Sequence, residues 1–406
     1  MSGAARGLGV CIMTETFHPV TGGGETQARA LAEGFKAAGV GAHVITRRTD
    51  RALRATDTVA GIPVHRTGPT GRGHLKKWGM LATAFVALVK LRRHYDAILV
   101  CGFRVLGIPA LLAGGLLGKP CVFKSDSQGE LSGRFFAAGL ARLKLRHDRF
   151  PVSLAVRARN ALLRRAARFV AISSVIEREY LACGVPPARI VRIPNSVDPA
   201  KFRPAAREEK ASLRARLAIP PQRRVATFTG RLVTTKGLPS LLRAWRSVVA
   251  EHADALLVLV GGGGLALQNC EEALRCFVRE HGLERSVRFT GSVENVHEYL
   301  QASDVFVFPS EREAFGISII EAMACGLPVV TTVVDGIRDV VRPGIDALAV
   351  EPGDDAALAT ALARALAGGE AIAALAAAAR ARVLEQFSSA RVVTAYRELL
   401  AEVAAR

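Results

Sequence analysis

An α/β fold with parallel sheets covered by helices is the fold class that this sequence predicts. Short apolar runs of strand length alternate with helical patterns from one end of the chain to the other. The alternation occurs twice, and 406 residues, half of them hydrophobic, are enough for two ordinary cores. Aromatic residues are few, while Ala, Val and Leu are many, which suits helices packed on sheets. We therefore expect two Rossmann-like domains.

The predicted elements follow one another in a regular order. The strands of the first half are predicted at residues 8–13, 42–46, 63–66, 97–101, 120–124, 169–172 and 190–193. Those of the second half are predicted at residues 224–229, 255–260, 287–290, 304–308, 328–331 and 347–350. The helices between them include residues 25–38, 77–93, 238–251 and 271–281.

Prolines mark the predicted boundary between the domains. Pro194, Pro199 and Pro204 interrupt the pattern, which places a hinge near residues 195–204. The predicted domains are residues 1–198 and 199–387. A last helix, within residues 388–406, follows the break at Phe387 and Ser388, and we expect it to pack back on the first domain.

The charge and the cysteines limit the protein's partners and compartment. The net charge is +19 and the pI is about 10.4, which favours an anionic partner: nucleic acid, lipid head groups or an acidic substrate. No Cys-x-x-Cys pair occurs among the seven scattered cysteines, which predicts buried free thiols and argues against a zinc site. The first 20 residues lack a secretion signal, and the longest apolar run, residues 105–118, contains Pro109 and is too short to span a bilayer. These features predict a cytoplasmic protein, at most peripheral on the inner face of the cell membrane.

The segment from Glu313 to Glu321 is the most informative in the chain. Two acids eight residues apart enclose a Phe315-Gly316 turn and the start of an apolar helix that ends at Gly326. The free N–H groups at that helix start form an anion site. A phosphate site beside two carboxylates suits a sugar nucleotide. The alternative is a buried helix with two solvated acids.

Two other loops carry residues that could bind a ligand. Gly22, Gly23 and Gly24 lie at a strand-to-helix turn, where a ligand can approach the backbone closely, although they do not form the Gly-x-Gly-x-x-Gly dinucleotide pattern. The alternative is a flexible loop without a ligand. In the second loop, Arg231 and Lys236 lie five apart between a strand and a helix, a pattern typical of a diphosphate clamp. The alternative is a pair of solvent-facing cations.

A metal is not expected at this site. No Asp-x-Asp pair, which could hold a divalent ion on a sugar diphosphate, occurs in the sequence. Arg231 and Lys236 can supply the positive charge instead. We therefore expect neither a metal nor a cofactor beyond the donor substrate.

Together these motifs resemble the retaining glycosyltransferases of family 4, which have the two-domain GT-B fold. The resemblance covers nearly the whole chain. Its motifs are the Gly230–Gly237 loop, the segment from Glu313 to Val329, Ile193-Pro194-Asn195-Ser196-Val197-Asp198, the Gly22–Glu25 loop and Phe387-Ser388.

The resemblance implies a role for each matched position. The first domain would bind the acceptor and the second the nucleotide sugar, with the parallel sheets facing a cleft between the domains. Arg231 and Lys236 would bind the donor diphosphate, Glu313 would lie at the sugar hydroxyls and Glu321 would hold the ribose. Backbone groups of Phe315, Gly316 and Ile317 would face sugar and phosphate, and Gly23 and Gly24 would approach the phosphate from the first domain. Transfer would retain the anomeric configuration by front-face attack.

The sequence departs from the family pattern in the first domain. The family often has histidines at the strand that here ends in Lys124 and near Cys101, and neither is present. Lys124, Ser125 and Glu130, with Asp126, occupy the region, where a lysine could still meet a phosphate or an anionic acceptor. Ser196 replaces the usual glycine of the hinge motif.

A basic segment suggests further partners. From Arg134 to Arg168 there are ten Arg or Lys residues and one acid, with apolar residues interleaved, which predicts one or two basic amphipathic helices. Such helices can bind an anionic membrane surface, and the acceptor would then be a glycan or a lipid-linked molecule, with a small molecule also open. The alternative is a solvated basic surface. Neither a stacking platform nor a helix-turn-helix pattern is present, so we expect no nucleic acid.

Other functions share the same fold. A non-catalytic, membrane-associated scaffold would explain the missing histidines, although the motif residues at 231, 236, 313 and 321 argue against it. A sugar-nucleotide epimerase would release free nucleotide without an acceptor. A glycan phosphorylase would need inorganic phosphate or pyridoxal phosphate, and no lysine context favours the latter.

Overall fold

The protein consists of two compact units. The computed structural model describes residues 7–20, 22–71, 76–136, 149–264 and 268–406. One unit takes the chain up to Asn195 together with Ser389–Arg406, and the other comprises Ser196–Ser388. Each unit has its own largely parallel sheet.

The first unit is built on an eight-stranded sheet. Its strands are β1 (Gly9–Thr14), β2 (Gly41–Arg47), β3 (Thr56–Val59), β4 (Ile62–Thr67), β5 (Ala97–Cys101), β6 (Cys121–Lys124), β7 (Arg168–Ala171) and β8 (Ile190–Arg192). They lie in the order β3-β4-β2-β1-β5-β6-β7-β8 and run parallel, except that β3 is antiparallel to β4. The central strands β1 and β5 are buried along their whole length, as expected where helices cover both faces of a parallel sheet.

Helices surround this sheet. They are α1 (Gly23–Ala37), α2 (Lys76–Leu91), α3 (Phe103–Leu117), α4 (Val152–Leu163), α5 (Ser174–Ala182) and, from the end of the chain, Ser389–Ala404. This last helix packs on α1, where the rings of Phe35 and Tyr396 meet edge to face at 6.5 Å. Val392, Tyr396 and Leu400 thereby join the same core cluster as the central strands.

The second unit is built on a six-stranded sheet that is parallel throughout. Its strands are β9 (Arg224–Thr229), β10 (Ala255–Val260), β11 (Val287–Gly291), β12 (Val305–Phe308), β13 (Val329–Thr332) and β14 (Leu348–Val350), in the order β11-β10-β9-β12-β13-β14. Its helices are α6 (Arg207–Arg216), α7 (Leu238–Glu251), α8 (Glu271–Glu280), α9 (Val296–Ala302), α10 (Ile317–Ala324), α11 (Ile337–Val340), α12 (Asp355–Ala367) and α13 (Glu370–Gln386). The helix at Ser389–Ala404 is therefore α14.

The predicted α/β fold with two parallel-sheet units is confirmed, and one strand was missed. Each predicted strand is present to within one residue at either end. The missed strand, β3, is a mostly exposed edge strand with the polar sequence Thr-Asp-Thr-Val, which lacks an apolar pattern. It turns into β4 through Ala60 and Gly61, which both have positive φ angles of 51° and 75°, as a tight hairpin requires.

Five of the seven cysteines are buried, whereas Cys183 and Cys276 are partly exposed. Among the described residues, no single helix is both long and apolar enough to span a membrane. A bent pair, Asp355–Ala367 with Glu370–Gln386, passes together by length and composition, with an angle of 96° between the two helices.

Candidate active site

Two of the loops singled out by sequence lie against each other in the second unit. They follow β9 and β12, which are neighbours in the sheet, so both loops emerge at the carboxyl edge. The carbonyl oxygen of Thr235 accepts hydrogen bonds from the Glu311 N–H at 3.0 Å and from the Ser310 hydroxyl at 3.2 Å. At Gly237, with φ +67°, a Cβ atom would lie 1.9 Å from the Pro309 carbonyl oxygen. Only glycine therefore permits this contact between the loops.

Lys236 and Glu313 are joined across this contact. The Lys236 ammonium donates to a Glu313 carboxylate oxygen, and both side chains are more than four-fifths buried. The same ammonium lies 4.8 Å from the centre of the Phe308 ring, and the other Glu313 oxygen accepts from the Ala314 N–H at 3.1 Å. Lys236, which was predicted to bind phosphate, and Glu313, which was predicted to bind the sugar, are thus direct neighbours with fixed orientations.

Arg231 lies on the same edge and keeps its guanidinium available. The side chain is exposed, and no hydrogen bond or ion pair of that guanidinium occurs among the described residues. Its backbone is nevertheless fixed, because the Leu232 N–H donates to the Gly262 carbonyl at 3.2 Å and a Cβ at Gly261 would lie 1.9 Å from the Gly230 carbonyl oxygen. A rigid backbone with a free guanidinium suits an anionic ligand.

The helix start predicted as an anion site has the expected form. Helix α10 begins after Gly316, whose φ of 103° turns the chain into the helix. Within the described parts of the chain, the N–H groups of Phe315, Gly316 and Ile317 have no acceptor. The Phe315 ring is buried edge to face against Phe387, with centres 5.7 Å apart, which anchors the turn. These N–H groups are therefore free to bind an anion.

Glu321 lies one turn further along α10. Burial raises the pKa of its carboxyl to about 7, and the positive charge of Lys201 only partly opposes this effect. No donor among the described residues reaches this carboxylate. A half-buried acid without a partner is suited to bind ligand hydroxyls.

In the first unit, three loops converge on Asp126. A Cβ atom at Gly24 would lie 3.1 Å from an Asp126 carboxylate oxygen, and one at Gly102 would lie 3.2 Å from the same oxygen. These glycines follow β1 and β5, while Asp126 follows β6, so the three loops share the carboxyl edge of the sheet. Gly23 opens α1 beside them, and the Thr16 hydroxyl binds the Glu25 carboxylate at the base of the loop.

Lys124 forms a buried ion pair with Asp126. The lysine is 1 % exposed, and its ammonium donates to the Asp126 carboxylate. Burial alone would lower the pKa of Lys124, but the negative charges of Asp126 and Glu130 together raise it above its usual value. The lysine therefore stays cationic and fixes the Asp126 carboxylate.

Glu130 fixes the backbone beside this ion pair. One carboxylate oxygen accepts from the N–H groups of Asp126 and Ser127, at 3.1 and 3.2 Å, and the other is buried without a hydrogen-bond partner in the described structure. Burial, with the nearby charge of Asp126, raises the pKa of Glu130 to about 7, against the opposing charge of Arg104. The half-satisfied carboxyl is thus close to the point of protonation at neutral pH.

Not every predicted residue of this region faces a ligand. Ser125 is fully buried; its N–H donates to the Tyr180 hydroxyl at 3.1 Å, and that hydroxyl lies 2.9 Å from the Ser125 hydroxyl. Ser125 thus secures the end of β6. Asp126, which the sequence indicated only as a neighbour of Lys124, is the group that meets the glycine loops. Glu15 is a further residue that the sequence analysis missed: it follows β1 directly and accepts from Arg104 at 3.4 Å.

The described residues contain no group of three or more His, Cys, Asp or Glu side chains that could hold a metal ion. Lys236 is the cation paired with Glu313, and Arg231 follows the neighbouring strand β9 on the same edge, without an ion pair among the described residues.

Comparison with known proteins finds a glycosyltransferase family model for each unit. Residues 22–196 match the family model described as a glycosyl transferase 4-like domain, and residues 209–382 match that of the glycosyl transferases group 1. Among curated relatives, the D-inositol 3-phosphate glycosyltransferase of Acidothermus cellulolyticus is 34 % identical over 189 residues, 45 % of this chain and 42 % of that protein. The protein of the same name from Thermobispora bispora is 32 % identical over 251 residues, 59 % of this chain and 57 % of that one.

A third relative has a lipid in its name. It is the GDP-mannose-dependent monoacylated alpha-(1-6)-phosphatidylinositol monomannoside mannosyltransferase of Corynebacterium glutamicum, 33 % identical over 171 residues, 40 % of this chain and 43 % of that protein. The matches thus span only about half the length of these relatives.

Solved structures resemble the chain over nearly its whole length. The Anabaena protein HepE, in complex with UDP and glucose, has a TM-score of 0.77 at 22 % identity, covering 97 % of this chain and 99 % of that one. Sucrose-phosphate synthase from Thermosynechococcus elongatus has a TM-score of 0.78 at 25 % identity, covering 98 % and 99 %. With two family models that together extend from residue 22 to residue 382, the chain belongs to the group 1, family 4-like glycosyltransferases of GT-B fold.

Proposed function

We propose that this protein is a retaining glycosyltransferase that moves a sugar from a nucleotide-diphosphate sugar to an acceptor hydroxyl without a metal ion. The observation that carries the proposal is the contact of Lys236 with Glu313. The same sheet edge carries Arg231 and the N–H groups that open α10, for which the described part of the chain offers no hydrogen-bond partner. Cations, backbone donors and a carboxylate at one sheet edge are the groups that a sugar diphosphate requires.

The donor is assigned from these groups. Arg231, Lys236 and the N–H groups of Phe315, Gly316 and Ile317 bind the diphosphate, while Glu313 holds hydroxyls of the sugar. Glu321 holds the ribose hydroxyls, since no donor among the residues that the structure describes reaches its carboxylate. HepE, whose structure contains UDP and glucose, supports a nucleotide sugar as donor.

The proposed transfer takes place on one face of the sugar. The bond from the anomeric carbon to the leaving phosphate oxygen breaks, and a bond to the acceptor oxygen forms on the same face. The acceptor hydroxyl gives its proton to the leaving phosphate oxygen. Arg231 and Lys236 stabilise the negative charge that develops on the diphosphate, which is the role a divalent metal has in other transferases.

The acceptor is proposed to bind at the edge of the first sheet. Asp126 is fixed there by Lys124 and Glu130, beside the loop of Gly23 and Gly24, and its carboxylate is suited to accept a hydrogen bond from an acceptor hydroxyl. The named acceptors of the relatives are an inositol phosphate and a phosphatidylinositol mannoside. They support a polyhydroxylated acceptor, either a glycan, a lipid-linked molecule or a small molecule.

A lipid-linked acceptor would be within reach if this protein is cytoplasmic and binds peripherally to the inner face of the cell membrane, which we propose. In the basic segment, Phe150 is 81 % exposed and Leu154 60 %, beside the exposed cations Arg149 and Arg157. Residues 137–148 of the segment lie outside the described residues. Arg159 does not belong to this surface, because its guanidinium is largely buried and donates to the carbonyls of Arg104 and Glu130.

A transfer assay tests the proposal. The protein is incubated in EDTA with UDP-, GDP-, ADP- and TDP-sugars, with and without inositol phosphate or lipid acceptors, and the product is examined by ¹H NMR. The proposal predicts release of nucleoside diphosphate that depends on acceptor and a product with the anomeric configuration of the donor. Release without an acceptor would favour an epimerase, and an absence of turnover with every acceptor would favour the non-catalytic scaffold.

A further inference from the structure

An arginine-rich cavity lies at the opposite edge of the second sheet from the candidate donor loops. Its volume is about 410 Å³, a size typical of small-ligand sites. Its lining includes residues that precede β9 and β11 or begin them, whereas the donor loops follow their strands. The cavity is therefore separate from the site around Lys236 and Glu313.

Positive charge dominates this cavity. Five arginines and a single carboxylate line it: Arg223, Arg275, Arg279, Arg285, Arg288 and Glu284. Two of these arginines have carboxylate partners outside the lining, Glu271 and Glu272, at 2.9 and 3.3 Å. Even with both partners included, the cations outnumber the carboxylates by five to three. The cavity thus favours an anion.

The guanidinium groups of two arginines are held in place without being neutralised. Arg223 donates to the carbonyls of Ala253 and Arg285 at 2.9 and 3.1 Å, and Arg288 donates to those of Leu217 and Ala218 at 2.9 and 2.8 Å. Carbonyl oxygens orient a guanidinium but leave its full charge uncompensated. Such preorganised cations lose little entropy when they bind a ligand.

Two further arginines of the cavity are available or easily released. Arg285 is exposed and its guanidinium has no partner among the described residues. Arg279 pairs with Glu272 at the surface, where the side chains are 58 % and 77 % exposed, and such pairs are weak. Both guanidiniums can therefore turn toward a ligand that carries several negative charges.

One wall of the cavity is apolar. Val278 from α8 and Val287 from the edge strand β11 are buried, and the Arg275 guanidinium stacks over the Phe289 ring at 4.3 Å. A ligand with a small organic body could pack on this wall while its charged groups meet the arginines. Multivalent phosphate matches the planar donor forks of arginine better than a single carboxylate does.

We propose that this cavity is a second binding site, for a small organic phosphate that carries at least two negative charges. The site does not depend on the proposed transferase activity. Its rigid cations, its apolar wall and its size distinguish it from a surface on which arginines are merely solvated.

Pyrophosphate is the probe that tests the site. It is titrated calorimetrically, in EDTA and at constant ionic strength, into the wild-type protein and three variants. R279E/R285E alters the two exposed arginines of the cavity. R207E/R246E makes the same change of charge at two exposed arginines of α6 and α7 that do not line it. R231A removes a residue of the proposed donor site, and thermal melts check that every variant is folded.

The wild type is expected to bind pyrophosphate at two sites. R279E/R285E should weaken one of them by about tenfold or more, as expected for the loss of hydrogen bonds between charged groups, whereas R207E/R246E should change it by less than about twofold. Equal weakening in the two double variants, or loss of every binding event in R231A, would overturn the proposed cavity site. If R231A leaves both events intact, the donor assignment fails while the cavity site stands.

Discussion

Lys236 and Glu313 form an ion pair that connects the loop after β9 with the loop after β12. They lie 77 positions apart in the chain, yet the close approach of Gly237 to Pro309 brings their loops into contact. The pair gives Glu313 a fixed orientation, and it places a cation beside the carboxylate that is proposed to meet the sugar. This arrangement makes the roles of the two residues separable by experiment.

Replacing Glu313 should reduce turnover much more than it reduces nucleotide binding. The E313A variant is expected to lose about 100-fold or more in kcat, because a preorganised group at the reacting sugar is removed. The affinity for the nucleoside diphosphate should change by less than about threefold, since Lys236 and Arg231 remain. Steady-state kinetics and calorimetry measure the two effects.

The matched control for Glu313 is E311A. Glu311 is exposed two residues earlier on the same loop, and its backbone N–H, which the substitution retains, makes the contact with Thr235. E311A should leave both quantities unchanged. Equal losses of kcat and nucleotide affinity in E313A would contradict the assigned role.

The contact between the loops should depend on the absence of a side chain at Gly237. G237A introduces a Cβ 1.9 Å from the Pro309 carbonyl oxygen at a φ of +67°. The left-handed backbone alone costs about 1–2 kcal/mol, and the steric clash adds roughly 1–3 kcal/mol. Denaturant unfolding of the variant measures the sum.

A second glycine separates these two costs. Gly344 has a φ of +73° with nothing within 4 Å of its Cβ position, so G344A carries only the backbone cost. G237A should therefore be the less stable of the two variants and should bind the nucleotide more weakly. Equal free energies of unfolding would show that the loops do not require this close contact.

Glu321 should make stability depend on pH. Burial raises its pKa from about 4.5 in the unfolded chain to about 7 in the folded protein, so the folded state binds more protons between these values. Stability from this group is fully present below about pH 4.5 and is lost as the pH rises through about 7.

Replacing Glu321 by glutamine removes that loss. The Tm of E321Q relative to wild type should therefore increase between pH 5 and pH 8. Glu130 titrates in the same window but is present in both proteins, so the difference between them isolates Glu321. A Tm difference that stays constant with pH would show that this carboxyl does not have a raised pKa.

Removing one partner of the buried ion pair between Lys124 and Asp126 should destabilise the folded protein. D126A leaves a 1 % exposed lysine without its counter-ion, at a cost of about 3 kcal/mol. The double variant K124M/D126A should recover most of this loss, because the buried ammonium is removed together with its counter-ion. Thermal and denaturant unfolding of the single and double variants form the double-mutant cycle.

The exposed pair of Arg29 and Glu33 provides the comparison for this cycle. Its side chains are 43 % and 41 % exposed, so E33A should cost less than about 1 kcal/mol. If D126A is no more destabilising than E33A, the Lys124 charge is not held by Asp126.

Most of the fold could be predicted from the sequence, because apolar runs of strand length alternate regularly with helical patterns. The strand limits at 224–229 and 255–260 were predicted to the residue, since those runs are apolar and bounded by polar turns. Strand β3 was missed because edge pairing, not apolar content, stabilises it. The two-unit α/β fold therefore follows from periodicity, whereas a polar edge strand does not.

The candidate site was only partly predictable. Motif spacing selected Lys236 and Glu313, but the ion pair between them depends on how the two loops pack. Ser125 was grouped with Lys124 by adjacency, yet successive residues at a strand end point in opposite directions, and Ser125 faces Tyr180. The place of Asp126 in the site could not be predicted, because it depends on Gly24 and Gly102, which approach it from distant parts of the chain.

The central claim is that Arg231 and Lys236 bind the diphosphate of a nucleotide sugar without a metal. The most direct measurement is calorimetric titration of UDP, GDP, ADP and TDP, in EDTA, into wild type, R231A and R246A, the last of which alters an exposed arginine of α7. We predict that one nucleotide binds wild type and R246A equally and binds R231A about tenfold or more weakly. Equal binding by R231A, or binding to wild type only when Mn²⁺ is added, would contradict the account.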